Sequence, residues 1–136
     1  MRAVLPIVAA GLLALGACAL IREGTAREAS VTGMLLLAAG LPLMGVARRQ
    51  LGTSFSVGPQ AKGLVTHGLY ARIPHPMYVF LDLALLGAIV ALRRPWLLVG
   101  WGGLVVLQTW QAGREARVLE EAFGDAYRGY RARTWW

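Results

Sequence analysis

The sequence predicts an all-α protein, an integral-membrane helical bundle of about four transmembrane helices with a cytoplasmic loop and an amphipathic C-terminal helix. Three observations carry that reading. Of 136 residues, 57% are hydrophobic and only 15% are charged, whereas a soluble domain carries about 25% charged residues. Four apolar stretches are separated by short charged punctuation, and the basic residues gather on one side of the implied topology. A mean hydropathy of +0.53 agrees. Together these argue against disorder, a nucleic-acid module or an ordinary soluble enzyme. The length implies one domain over residues 1–136.

The first apolar stretch, Ala3 to Ile21, holds no charge and reaches the ~20 residues that a spanning helix needs. The second, Val31 to Ala47, ends at Arg48-Arg49 and just meets the requirement. The third, Met77 to Leu92, ends at Arg93-Arg94-Pro95. The fourth, Trp96 to Trp110, runs into a polar C-terminal segment. The last two are short unless flanking residues such as Pro74 to Pro76 and Gln111 to Gly113 extend them.

With four spans, the N-terminus, the loop 48–75 and the C-terminal tail share a side. Ten of the fourteen basic residues fall there, and Arg22, Arg27, Arg93 and Arg94 fall opposite. The positive-inside rule then places both termini in the cytoplasm. A membrane of the bacterial inner type is the expected location. The net charge of +7 suits anionic lipid headgroups better than nucleic acid, because the basic residues flank apolar spans and form no separate polar face.

Several single residues stand out. Cys18 is the only cysteine, which excludes an intramolecular disulfide and a cysteine-cluster zinc site. The run Leu15-Gly16-Ala17-Cys18 has the look of a lipoprotein signal, but the apolar stretch continues past it to Ile21, and an uncleaved span is the favoured reading. Asp82 lies within the third span, where a carboxyl must face the bundle interior or a polar cavity. It is either a site-lining group or a structural hydrogen-bonding one. Gly40, Gly45, Gly87, Gly100, Gly102 and Gly103 are expected to allow close helix approach.

Two polar segments are candidates for chemistry. The loop Arg48 to Pro74 is too long for a plain connection in so small a protein; it holds Lys62, His67, Tyr70 and Arg72 among glycines. At its end, Pro74 and Pro76 restrict the backbone around His75, and Pro76 suits the first turn of a helix. Tyr78 follows on nearly the same helical face. In the C-terminal segment Leu119, Phe123, Ala126, Tyr127 and Tyr130 recur at helical spacing. That marks an amphipathic helix at the interface, with a break expected near Gly124. Glu115, close to the end of the fourth span, is either a site carboxylate or a surface acid.

The stretch Gly63-Leu64-Val65-Thr66-His67-Gly68-Leu69-Tyr70, followed by His75-Pro76-Met77-Tyr78, resembles the signature of the isoprenylcysteine carboxyl methyltransferases and related phospholipid methyltransferases. Downstream, Leu119 to Tyr130 is similar to that family's Leu-x-x-x-Phe-Gly-x-x-Tyr-x-x-Tyr ending. The resemblance covers about residues 48–133, while residues 1–47 match only as hydrophobic spans.

The resemblance implies an integral-membrane methyltransferase using S-adenosylmethionine as methyl donor, with a pocket on the cytoplasmic side closed by the C-terminal segment. Carried over by position, it implies cofactor contacts from Lys62, Gly63, Leu64 and Val65. Tyr70 and the run His75, Pro76, Met77 and Tyr78 would line the same pocket, and Glu115 would be the acidic cofactor ligand. The methyl acceptor implied is lipophilic, a carboxylate, thiol or amine arriving through the bilayer between the third and fourth spans. For an amine, His67 or His75 could assist deprotonation. Candidates for a direct part in catalysis are Arg114, Gln111 and His75.

The chain departs from the family pattern in three places. The usual Arg before His75 is Pro74; the Arg that meets a prenylcysteine carboxylate, four residues before the acidic ligand, is Gln111; and the second acid of the usual pair is Ala116. Arg72 and Arg114 lie near enough in sequence to replace either charge. The alternative reading is a non-catalytic membrane protein that keeps this scaffold and binds a lipid or a protein partner, since fold alone does not establish activity.

Overall fold

The structure, a computed structural model, describes residues 4–54 and 63–135. Its helices are α1 (Val4–Glu23), α2 (Ala26–Leu51), α3 (Pro76–Leu92) and α4 (Leu97–Arg133), with short 3-10 turns at Gly52–Ser54 and Gly68–Ala71. Among the described residues there is no strand.

Each helix boundary has a local cause. α2 begins well before the apolar stretch at Val31 because Thr25 and Glu28 form a capping box. The Thr25 hydroxyl accepts from the Glu28 backbone N–H at 3.2 Å, and the Glu28 carboxylate accepts from the Thr25 N–H at 2.7 Å. At its other end α2 carries Arg48 and Arg49 inside the last turn, where cations suit the helix dipole. α3 starts with Pro76, which needs no helical partner for its missing N–H. It ends at Arg93, in the left-handed conformation at φ 54°. The fourth apolar stretch and the amphipathic segment prove to be one 37-residue helix, interrupted only by the non-helical Gly124 at φ 48°. Nothing between Trp110 and Gly124 breaks a helix, so the expected break near Gly124 holds and no other separates the two parts.

α1 and α2 are each long and apolar enough to cross a membrane. α3 is apolar throughout, but its 17 residues reach only about 25 Å at 1.5 Å per residue, short of the ~30 Å hydrocarbon layer. The apolar surface faces outward. α1 buries only Ala17 and Ile21, and large side chains such as Leu15 (69% exposed) and Val99 (81%) stand clear of the protein. A core helix in a soluble protein would cover most of that surface; this distribution suits lipid.

Packing is closest between α2 and α3, which meet along a stripe of small residues. Ala29, Gly33, Gly40 and Ala47 are the buried positions of α2. A Cβ on Gly40 would lie 2.7 Å from the Ala84 backbone nitrogen, and one on Gly87 would lie 2.6 Å from the Gly33 carbonyl oxygen. Gly33, which periodicity did not single out, is packed as tightly against Gly87 and Ala91. The expectation fails for Gly45, Gly100, Gly102 and Gly103, whose added Cβ atoms would meet nothing within 4 Å. These four lie on faces that no neighbouring helix covers.

One end of the bundle is stapled by Arg93. Its guanidinium donates to the carbonyls of Ile21, at 2.8 Å, and Gly24, at 3.3 Å. The left-handed turn at the end of α3 thereby satisfies carbonyls at the end of α1 that no helical N–H reaches. The core lies beside this staple, where Ile21, Ala29, Leu86, Val90 and Trp101 pack together. At the opposite end, the Gln50 side chain accepts from the Leu69 N–H at 2.8 Å, and the Arg72 carbonyl accepts from the Trp135 N–H at 3.0 Å. The polar segments meet at that second end.

Candidate functional site

The site is built around one carboxylate. Pro74 and Pro76 are both buried and hold His75 as the residue that opens α3. Its side chain makes no cap bond, so the imidazole is left to reach α4. Tyr78, three residues on, stacks against the His75 ring with centroids 5.6 Å apart and planes inclined by 15°. Both side chains converge on Glu115, in the middle of α4. The Tyr78 hydroxyl donates to Glu115 Oε1 at 2.8 Å, the Gln111 amide donates to the same oxygen at 3.3 Å, and His75 Nδ1 lies 3.4 Å from Oε2.

Burial pushes the Glu115 carboxyl up, but the hydrogen bonds from His75 and Tyr78, the His75 charge and the Gln111 bond outweigh it. The net effect holds the group below its ordinary value. Glu115 is therefore a half-buried, ionised acceptor and not a surface acid.

Beside this cluster, between α1, α3 and α4, lies a cavity of about 140 Å³ lined by His75, Tyr78, Asp82, Gln108, Thr109 and Arg131 together with apolar neighbours. Arg131 reaches it because the chain turns at Gly124. Beyond that turn Tyr127 and Tyr130 are buried, with rings 6.1 Å apart. Tyr70 is also buried; burial, with the neighbouring Tyr130 and Glu115, pushes its phenol up to about 12. Burial likewise pushes Tyr130 up to about 12, so both phenols stay protonated across the physiological range. The C-terminal segment is thus packed over the loop end of the bundle and brings Arg131 to the cavity wall.

The structure brings His75, Tyr78, Gln111 and Glu115 together. Pro76 is buried at the α3 N-terminus and Tyr70 among the tyrosines; neither borders the cavity, and nor does Met77. Gly63, Leu64 and Val65 are half-buried in an irregular segment. Lys62 lies outside the described residues. Arg114 is exposed, with its guanidinium 4.9 Å from the centre of the Trp110 ring. Arg72 contributes a backbone carbonyl to the C-terminal segment. Asp82 borders the cavity, and the buried Gln108 hydrogen-bonds to it.

Sequence reasoning missed Gln108 and Arg131. Gln108 stands seven residues before Glu115 on the same face of α4, a signal that was available. Arg131 could not be found that way, because the turn at Gly124 resets the helical phase before it.

The profile of the phospholipid methyltransferase family matches residues 29–126. The match reaches back through α2, which the motif resemblance had left out, and stops just short of Tyr127. No curated protein and no solved structure matches the chain.

Proposed function

The chain belongs to the phospholipid methyltransferase family, and from that premise we propose that it moves a methyl group from S-adenosylmethionine to a lipophilic acceptor delivered from the bilayer. The observation that carries the reading is the Glu115 carboxylate, held ionised by Tyr78, Gln111 and His75, of which His75 and Tyr78 line a cavity that Arg131 also lines.

The residues fit the donor's chemistry. S-adenosylmethionine, when bound, supplies an electrophilic methyl on a sulfonium cation. Glu115 offers a fixed negative charge to that molecule's cationic groups, and Arg131 offers a guanidinium to its carboxylate. The stacked His75 and Tyr78 rings supply aromatic faces to a cation. Tyr78 and Gln111 hold the carboxylate in one orientation, so binding need not order it. In this reading the site end of the bundle faces the cytoplasm, as the distribution of basic residues implies, and further apolar helices besides α1 and α2 sit within the membrane.

Titration calorimetry of S-adenosylmethionine into the purified protein tests the proposal. Saturable binding is expected, and Glu115→Ala should abolish it. A protein that does not bind the donor, or a Glu115→Ala variant that binds like the parent, would leave a non-catalytic scaffold as the better reading.

A further inference from the structure

A second cavity meets the first at Asp82. It measures about 430 Å³, lies between α1, α3 and α4, and is almost wholly apolar. Leu5, Leu13, Leu83 and Leu86 line it, and Ala9 and Ala10 keep the α1 side thin. Pro6, Val79, Asp82 and Val105 border both cavities. Asp82 lies four residues beyond Tyr78 on α3, and Gln108 seven residues before Glu115 on the antiparallel α4. The Asp82–Gln108 layer therefore lies one helical turn or two deeper than the Glu115 cluster, between it and the apolar cavity.

Asp82 and Trp101 both line the apolar cavity, and each holds a buried polar atom without a hydrogen-bond partner. They are the acceptor Oδ1 of Asp82 and the donor Nε1 of Trp101, the latter on a side chain only 5% exposed. Orphaned buried groups of this kind are costly and call for a partner. Among the described residues, no cationic side chain lines this cavity. An anionic head group placed there would face the Asp82 carboxylate with only the Trp101 N–H to offset the repulsion. A head group bearing N–H, O–H or S–H would instead donate to Oδ1.

We propose that the apolar cavity holds the tail of the methyl acceptor and that Asp82 takes the proton of its reacting head group, which makes the acceptor a protic amphiphile (amine, alcohol or thiol) and not a carboxylate. The proton step rests on the methyltransferase reading above. The acceptor heteroatom forms a bond to the methyl carbon while the carbon–sulfur bond breaks, and the sulfonium leaves as a neutral thioether with that electron pair. The proton lost by the heteroatom passes to the Asp82 carboxylate. For an ammonium head, this transfer comes first and frees the lone pair that attacks.

The test uses the full chain in phosphatidylcholine nanodiscs with four probes of one chain length: dodecylamine, dodecanol, dodecanethiol and dodecanoate. Without methyl donor, protic probes should change the Trp101 emission, read as the difference between the parent and Trp101→Phe, while dodecanoate should not. Asp82→Asn should weaken the amine response roughly tenfold or more, and Ala9→Trp should weaken binding of every protic probe. With labelled S-adenosylmethionine, label should pass to a protic probe. Asp82→Asn should lose that transfer while retaining donor binding, which shows that it folds. Binding or methylation of dodecanoate on a par with the amine, or full transfer by Asp82→Asn, would overturn the proposal. Amine binding at Trp101 in a protein that does not bind S-adenosylmethionine would overturn the methyl-transfer reading and the proton step with it, but not the head-group assignment.

Discussion

The Tyr78 hydroxyl donates a 2.8 Å hydrogen bond to Glu115 Oε1, tying the first turn of α3 to the middle of α4 across 37 residues of chain. The bond sets the distance between two helices and also orients the acid at the candidate site. Helix packing and the geometry of the candidate site are therefore coupled at one contact.

Tyr78→Phe removes that donor and keeps the ring stacked on His75. A hydrogen bond to a charged group is worth about 1.5–3 kcal/mol, so donor affinity should fall by roughly tenfold to a hundredfold. Calorimetry with S-adenosylmethionine checks this. Arg114→Ala should leave the affinity near that of the parent, because its guanidinium lies over Trp110 and away from the cavity.

Stability should depend on pH through Glu115. Its carboxyl is held below an ordinary value of 4.5 in the folded protein. A group depressed on folding stabilises the fold fully above its unfolded pKa, and that contribution is lost as pH falls through the folded value. The difference in Tm between the parent and Glu115→Gln should hold steady near neutral pH. It should shrink only as the pH drops below about 4.5. A difference already fading at neutral pH would contradict this assignment.

The glycines should divide into two classes. Gly33→Leu or Gly87→Leu forces a side chain against the backbone of the facing helix, at a cost of about 1–3 kcal/mol or more. Gly45→Ala and Gly102→Ala place a methyl in open space within a helix, which should be neutral or stabilise by about 0.5–1 kcal/mol. Thermal unfolding in detergent separates the classes.

Gly124→Ala tests the turn that delivers Arg131. A Cβ there meets nothing within 4 Å, so any penalty comes from the backbone at φ 48° alone. That penalty is about 1–3 kcal/mol. The variant should release the C-terminal segment, read as faster tryptic cleavage beyond residue 124, and should weaken donor binding together with it.

The legible parts of this protein were those written in local pattern. Low charge, four apolar stretches and their punctuation announced a helical membrane protein. Two prolines around His75 announced a held imidazole, and the Phe123-Gly124 step announced a break in α4. Boundaries were less legible where polar residues continue a helix, as at Thr25–Glu28 and Arg48–Arg49, because hydropathy does not register capping.

Only the tertiary structure decided which groups meet. Gly33 and Gly45 look alike in sequence, yet one touches α3 and the other touches no neighbour, since contact depends on which face a partner helix covers. Glu115 became a half-buried, hydrogen-bonded acid, and Arg131 a cavity residue, through contacts between segments remote in sequence. Asp82 acquired two cavities for the same reason. Helical period specifies a face, but not what lies against it; that is decided when the helices pack and orphaned polar groups must find partners.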